Sequence, residues 1–483
     1  MIHQNILVAV FIITVNLVVF GYFIIVNTAY LILFTLAFFS ARGYVRRKHI
    51  TDLDEVFRSP LTPSISVIIP AFNESRTIVD VVRAALVLRY PRFEVVVVND
   101  GSTDQMLDVL TEAFDLRRIT KVVETPLPCE KIRGVFISAS QDNLLVLDKA
   151  HGGKADSLNA GINVSNGQIL CNVDADSLLE IDALLKIARP FLENPGYAVA
   201  AGGVIRVVNG CDVSGSRVTR VRLPKGFWAN VQIVEYLRAF LGARMGWAAL
   251  GGLLIVPGAF GAFDRATLLE IGGYRQDTVG EDMELILRLH AYMKEHKRAY
   301  KIYYIPDPVC WTQAPVGWQQ VSRQRDRWQR GLIESLRAHE NMLFNPKYGV
   351  PGAIVMPFYF FFEMLGPVVE LFGYGMIILA LLLHQLDVRF LYLFISVAIL
   401  YGVIVSLMAV MLGGVATGRF PRLPALAKLS LFAVLDNAGY RQVNTWWRTK
   451  AYVTYYTRRR KWGHMERSEL AQSHAIAEKD PVH

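Results

Sequence analysis

The sequence predicts an α/β domain with a mostly parallel sheet, inserted between transmembrane α-helices. Three observations lead there. Long uncharged runs stand towards both ends of the chain, while residues from about 50 to 350 have the mixed polarity of a soluble fold. Within that middle segment, β-branched runs alternate with turn motifs and amphipathic helices. This is the pattern of a parallel sheet that takes ligand at the carboxyl ends of its strands. Arginine and lysine gather beside the apolar runs, as they do on the cytoplasmic side of a membrane.

The first run extends from Ile6 to Ala41, 36 residues without a charge. A span needs ~20 residues, so this is one long tilted helix or a tight pair. It is too long for a secretory signal, and no basic segment precedes it. Asn16 and Asn27 interrupt it, and polar residues in a span often face a partner helix. Arg42, Arg46, Arg47 and Lys48 follow and place the next segment in the cytoplasm. The expected order is an N-terminal transmembrane region (1–48), a cytoplasmic domain (49–350), transmembrane or interfacial helices (351–445) and a basic cytoplasmic tail (446–483). In the third of these, Ala353–Leu383 carries only Glu363 and Glu370 as charges, with Pro357 and Pro367 as breakers. Phe390–Gly418 is uncharged and should span, whereas Leu423–Tyr440 is weaker and suits the interface. Two firm C-terminal spans would return the tail to the cytoplasm. The whole is a multi-pass protein of the inner (plasma) membrane.

Hydrophobic residues make up 53% of the 483-residue chain, and the formal charge is +9. Because the cations flank membrane segments, membrane lipid of negative charge is the simplest partner. No nucleic-acid-binding motif accompanies the charge. Cys129, Cys171, Cys211 and Cys310 form no C-x-x-C pair and are expected as free thiols.

The middle segment carries the chemistry. Ser64–Pro70 reads as a buried strand, followed by AlaPheAsnGlu (71–74) and a helix that buries Ile78, Val81 and Val82. Glu94–Val98 is a second strand, ending in AsnAspGlySerThrAsp (99–104). Asp100 at that end can accept hydrogen bonds from a base or a ribose. The competing reading is a turn with a helix cap at Ser102 or Asp104, and it is preferred for Asp104. In GlyGlyLysAlaAspSerLeuAsnAlaGly (152–161), glycines allow close backbone approach and Lys154 can reach a phosphate or a hydroxyl. The spacing is not that of a Walker A loop. Gln168–Val173 is a third strand with AspAlaAsp (174–176) at its end. Two carboxylates there suit Mg²⁺ or Mn²⁺ with positions left open for phosphate oxygens. Asp-x-Asp alone is common; its place at a third parallel strand gives it weight.

Val256–Asp264 is a Gly-rich, aromatic loop with room for an acceptor, or a plain tight turn. GlyGluAspMetGluLeu (280–285) opens a helix with Leu285, Ile286, Leu289 and Met293 on one side. Asp282 there is a candidate general base, although Glu281 and Asp282 also suit a helix N-terminus electrostatically. Last comes GlnArgAspArgTrp (324–328). On a helix Gln324, Arg327 and Trp328 share one face. An arginine grips pyrophosphate bidentately, and an indole offers a sugar ring a platform. An amphipathic helix with an ordinary salt bridge and a core Trp is the alternative.

Together these motifs resemble the processive family-2 glycosyltransferases of the inner membrane, among them cellulose, chitin, hyaluronan and poly-N-acetylglucosamine synthases. The resemblance runs from about Ser64 to Gly331, with five motifs in family order. It implies a GT-A type nucleotide-sugar-binding domain with a Rossmann-like sheet. It further implies that Ala71, Asn73, Glu74, Asp100, Lys154 and Asp174 bind a UDP-sugar donor, with Asp100 at the uridine. By the same resemblance Asp176, with Asp174, holds Mg²⁺ or Mn²⁺ on the diphosphate, and Asp282 deprotonates the acceptor. Gln324 and Arg327 would hold the diphosphate. Trp328 would support the acceptor's terminal sugar, with Gly258, Phe260, Gly261 and Glu281 also on the acceptor side.

GlyGluAsp stands where many relatives have Thr-Glu-Asp, which bears on how the base is positioned. The 483 residues leave no room for a C-terminal PilZ domain, so regulation by cyclic di-GMP through one is not expected. A single base predicts one in-line displacement with inversion, hence a β-linked polysaccharide. The growing chain would leave through a transmembrane channel that Glu363 or Glu370 could line, an interfacial place for these two glutamates being the equal alternative, and accessory export subunits would fit as partners. Two other readings compete: a non-processive enzyme adding one sugar to a lipid or short acceptor, and a transporter whose soluble part only binds nucleotide. The filled set of carboxylates and the few firm spans weigh against the transporter.

Overall fold

The computed structural model describes residues 2–48, 59–214, 217–385, 387–417 and 423–457. Residues 458–483 of the expected basic tail lie outside the described residues. The chain divides into two compact units. One is drawn from Met1–Val45, Asn230–Gly252 and Val316–Lys461, the other from Arg46–Ala229 and Leu253–Pro315.

The second unit is the α/β domain. Its strands are β1 (Ile65–Ala71), β2 (Phe93–Asn99), β3 (Leu116–Ile119), β4 (Ile132–Ser138), β5 (Leu144–Lys149) and β6 (Ile169–Val173). Then follow β7 (Leu178–Leu179), β8 (Ala198–Val207), β9 (Asp212–Ser214), β10 (Arg217–Arg220), β11 (Phe260–Asp264) and β12 (Lys301–Thr312). β9 and β10 pair with each other; the other ten form one sheet in the order β3-β4-β5-β2-β1-β6-β11-β8-β12-β7. The pairings set β4, β7 and β11 against the direction of the rest. The expected mostly parallel sheet is therefore present, with the three strands read from the sequence, β1, β2 and β6, side by side at its centre.

Those central strands are apolar on both faces because helices cover both. Ile78, Val81 and Val82 are buried in the helix after β1. Leu285, Ile286, Leu289 and Met293 are buried in the helix Glu281–Glu295. The helix Lys154–Val164 lies so close to the sheet that a Cβ at Gly161 would come within 2.4 Å of Ile68. All four cysteines are free.

The first unit is apolar. Ile2–Lys48 is a single helix, which decides between the long helix and the pair. Its apolar part, Val10–Arg46, is 37 residues, about 55 Å long, well beyond a ~30 Å hydrocarbon core. It exposes Val10, Phe11, Ile13, Leu17, Val18, Ile24 and Ile25. Asn16 and Asn27 are buried instead, and Asn27 Nδ2 donates to the Val397 carbonyl at 3.2 Å. Val388–Gly414 is the second helix long and apolar enough to cross a membrane. Pro351–Met364 and Gly366–Leu382 meet at a 43° bend and pass together as a third, broken span. The bend falls just before Pro367, whose nitrogen has no hydrogen to donate. Pro357 does not break the chain; it sits among helical turns with π turns on either side. Leu423–Leu435 is a 13-residue helix that ends in an irregular turn over Asp436–Tyr440.

Candidate active site

The site residues of the α/β unit gather at the carboxyl ends of β1, β2, β5 and β6. Lys154 opens its helix behind Gly153, whose φ of 91° is a conformation glycine adopts without strain. The Lys154 ammonium lies 2.5 Å from Asp174 Oδ1, donates to the Gly258 carbonyl at 3.0 Å and stands 3.6 Å from Glu281 Oε1. Burial works against its charge, but Asp174 and then Glu281 outweigh it and raise its pKa above the ordinary lysine value. Asp282 is half-buried at the start of its helix. Its Oδ1 accepts from Met283 N at 2.8 Å, and its Oδ2 lies 3.6 Å from where a Cβ on Gly258 would stand. Lys154, Asp174, Gly258, Glu281 and Asp282 are thus brought together, as the sequence led one to expect. Asn172, on β6, also donates from its Nδ2 to the Gly258 carbonyl, at 2.9 Å.

Other candidates are engaged with the turns that carry them. Asp100 is 3% exposed; Gly152 N donates to its Oδ1 at 2.9 Å, Gly153 N to its Oδ2 at 2.8 Å, and Lys149 is ion-paired with it. The carboxylate therefore tethers the loop that aims Lys154. Asn73 has φ 57°, and its Oδ1 accepts from Thr103 N at 2.8 Å, so its amide clamps the turn after β2. Glu74 accepts from Thr77 Oγ1 at 3.0 Å. Ala71 is buried and its carbonyl accepts from Asp100 N. Asp104 accepts from Met106 N at 3.2 Å and Ser75 N at 3.0 Å, the turn role preferred for it.

Phe260 requires a correction. It lies in β11, paired with Val173, and is 0% exposed. Its ring is packed inside the domain rather than presented on a loop. Gly261 is also inside β11, where a Cβ would come within 2.6 Å of Val256; it serves packing. Only Gly258 of that segment reaches the cluster.

Among the described residues no group of three His, Cys, Asp or Glu side chains could hold a metal. Asp174 and Asp176 remain the candidate ligands. Two carboxylates with open positions fit a hard cation that completes its shell with phosphate oxygens and water.

Gln324, Arg327 and Trp328 lie on the helix Trp318–Ala338, in the apolar unit. Gln324 is buried, Arg327 half-buried and Trp328 36% exposed. The indole is therefore not a core Trp. In the same unit Glu370 pairs with Arg441 at 2.5 Å and Glu363 with Arg448 at 3.4 Å. With Arg238 these four line one polar cavity.

Several participants were not read from the sequence. Lys149 is fully buried between Asp100 and Asp156, 2.6 Å from the latter. A lysine ending the apolar strand LeuLeuValLeuAspLys was the signal available. Arg325, inside the pentapeptide itself, is 1% exposed.

Residues 63–331 match the family model described as Glycosyltransferase like family 2. The chain is 30% identical over 271 residues to a probable glycosyltransferase, YdaM, of Bacillus subtilis (strain 168), covering 56% of this chain and 55% of that protein. It is 24% identical over 272 residues to the poly-beta-1,6-N-acetyl-D-glucosamine synthase of Staphylococcus epidermidis, with the same coverage. The matched region is thus about half the length of these relatives. Among solved structures, the mannosyltransferase PcManGT from Pyrobaculum calidifontis, in complex with GDP-Man and Mn²⁺, superposes with a TM-score of 0.47 at 18% identity. That superposition covers 89% of this chain and 99% of that one.

Proposed function

The chain belongs to the family described as Glycosyltransferase like family 2, and from that premise we propose that it is a membrane-embedded, inverting, UDP-sugar-dependent polymerase. It extends a β-linked polysaccharide and helps carry it across the inner membrane, with the α/β unit in the cytoplasm. The observation that carries the reading is the cluster of Lys154, Asp174, Glu281 and Asp282 around the Gly258 carbonyl. It pairs a cation for a diphosphate with a separate carboxylate for an acceptor.

In this reading Asp282 takes the proton of the acceptor hydroxyl. That oxygen bonds to the anomeric carbon as the bond to the diphosphate breaks, and UDP leaves with the electron pair. One displacement inverts the centre. Lys154 exchanges Asp174 for the diphosphate and balances the charge that develops there. A bound Mg²⁺ or Mn²⁺, held by Asp174 and Asp176, would supply further charge to the leaving group. Gln324 and Arg327 bind diphosphate, and Trp328 carries the acceptor's terminal sugar. Asp100 and Asn73 act through the loops they fix.

The names of the relatives make UDP-N-acetylglucosamine the first donor to try. The test is a panel of radiolabelled UDP-N-acetylglucosamine, UDP-glucose, UDP-glucuronate and UDP-galactose, given to the full chain in nanodiscs with Mn²⁺ or Mg²⁺. A high-molecular-weight product with one donor is expected. A single small lipid-soluble product would replace the polymerase by a non-processive transferase, and no incorporation at all would end the reading.

A further inference from the structure

The exposed indole of Trp328 is not held by its own helix alone. Arg325 lies one turn before it on the same helix face, and its guanidinium carbon stands 4.3 Å from the indole centroid. Phe240 and Tyr236 flank the ring at 6.0 and 6.4 Å. Arg325 is held in turn. Its Nη2 donates to Glu235 Oε2 at 2.6 Å and to the Tyr440 hydroxyl at 3.1 Å, and its Nε donates to the same hydroxyl at 3.3 Å. Three stretches of chain far apart in sequence thus converge on one guanidinium.

A buried ion pair is a poor device for stability alone, because apolar residues of similar volume often do as well or better. A planar cation fixed at three points and stacked on a ring is a good device for orientation. We propose that Arg325 is a positioning residue that holds Trp328 as the platform for the acceptor's terminal sugar, with Glu235 and Tyr440 fixing Arg325. The inference rests on the acceptor role proposed above for Trp328. When the platform is loosened, the chain end leaves between additions, and activated donor is spent on water instead.

The readout is UDP released per sugar found in polymer. It is measured on the full chain in nanodiscs with the labelled UDP-sugar that the unchanged protein incorporates. Arg325→Lys keeps the charge for Glu235 but removes the planar stack. Trp328→Ala removes the platform. Each is expected to raise the ratio about tenfold, between the sizes of an exposed and a desolvated cation–π contact. The double substitution should raise it no further than Trp328→Ala does. Additive effects, or Arg325→Lys lowering release and incorporation together at an unchanged ratio, would overturn the positioning role and leave the platform standing. An unchanged ratio in Trp328→Ala would overturn the platform, and Arg325 with it. Should Arg325→Lys fold poorly, the paired change Arg325→Met with Glu235→Gln removes both buried charges and must raise the ratio likewise.

Discussion

Asp282 shows what a motif can and cannot say. Its place at the start of a helix made it legible, because helix N-termini and strand ends are where acidic side chains meet a ligand. Asp174 was legible for the same reason, and Lys154 because a cation stands directly behind a pair of glycines. Asn73 and Phe260 were read as contact residues; the folded turn adds that the amide of Asn73 is engaged with Thr103 N, and the pairing with Val173 that Phe260 is strand rather than loop. Arg325 stayed hidden because Glu235 and Tyr440 lie 90 and 115 residues away. Two expectations belong at this scale. Asp282→Asn should lower transfer by about 10² to 10⁴, the range of general-base catalysis, with UDP affinity unchanged by calorimetry; retained turnover would remove Asp282 as the base. Asp176→Asn should weaken UDP binding in the presence of Mn²⁺ but not in chelator, and equal affinities in both would end its assignment to the metal.

Elements were readable where one residue class dominates. IleSerValIleIleProAla and PheGluValValValValAsn announce β1 and β2 because both faces of those strands are buried. β8 is rich in alanine and glycine, and β12 contains Pro306 and Pro308, which weakens the strand signal of both although they pair with each other along their length. The helix Glu281–Glu295 hides a further constraint. His290 is 1% exposed; the Tyr300 hydroxyl donates to its Nδ1 at 2.6 Å, and its Nε2 donates to the Leu253 carbonyl at 2.8 Å. A neutral ring satisfies both bonds. Burial lowers its pKa to about 4, whereas the unfolded ring keeps the ordinary value of about 6.5. The unfolded chain therefore binds more protons between these values, and stability is lost as pH falls from about 6.5 to about 4, by up to about 3 kcal/mol. Thermal melts over that range should show the loss and a shallower slope in His290→Gln. Identical slopes would mean that another group titrates.

At the scale of the whole molecule, the number of crossings decides on which side each loop lies. If the bent pair Pro351–Met364 and Gly366–Leu382 crosses as one span, Gln385 faces outward and the chain returns through Val388–Gly414. Gln385→Cys should then react with a membrane-impermeant maleimide on intact cells, while Cys129, Cys171, Cys211 and Cys310 stay unlabelled. Silence at residue 385, with labelling after lysis, would make the pair re-entrant. The ion pairs of the apolar unit bear on how such a protein is made. Glu370 is synthesised 71 residues ahead of Arg441, and Glu363 85 residues ahead of Arg448. During synthesis each carboxylate precedes the cation that pairs with it, and an unmatched charge inside a bilayer would be costly. A chain halted before residue 441 would hold two such acids unanswered.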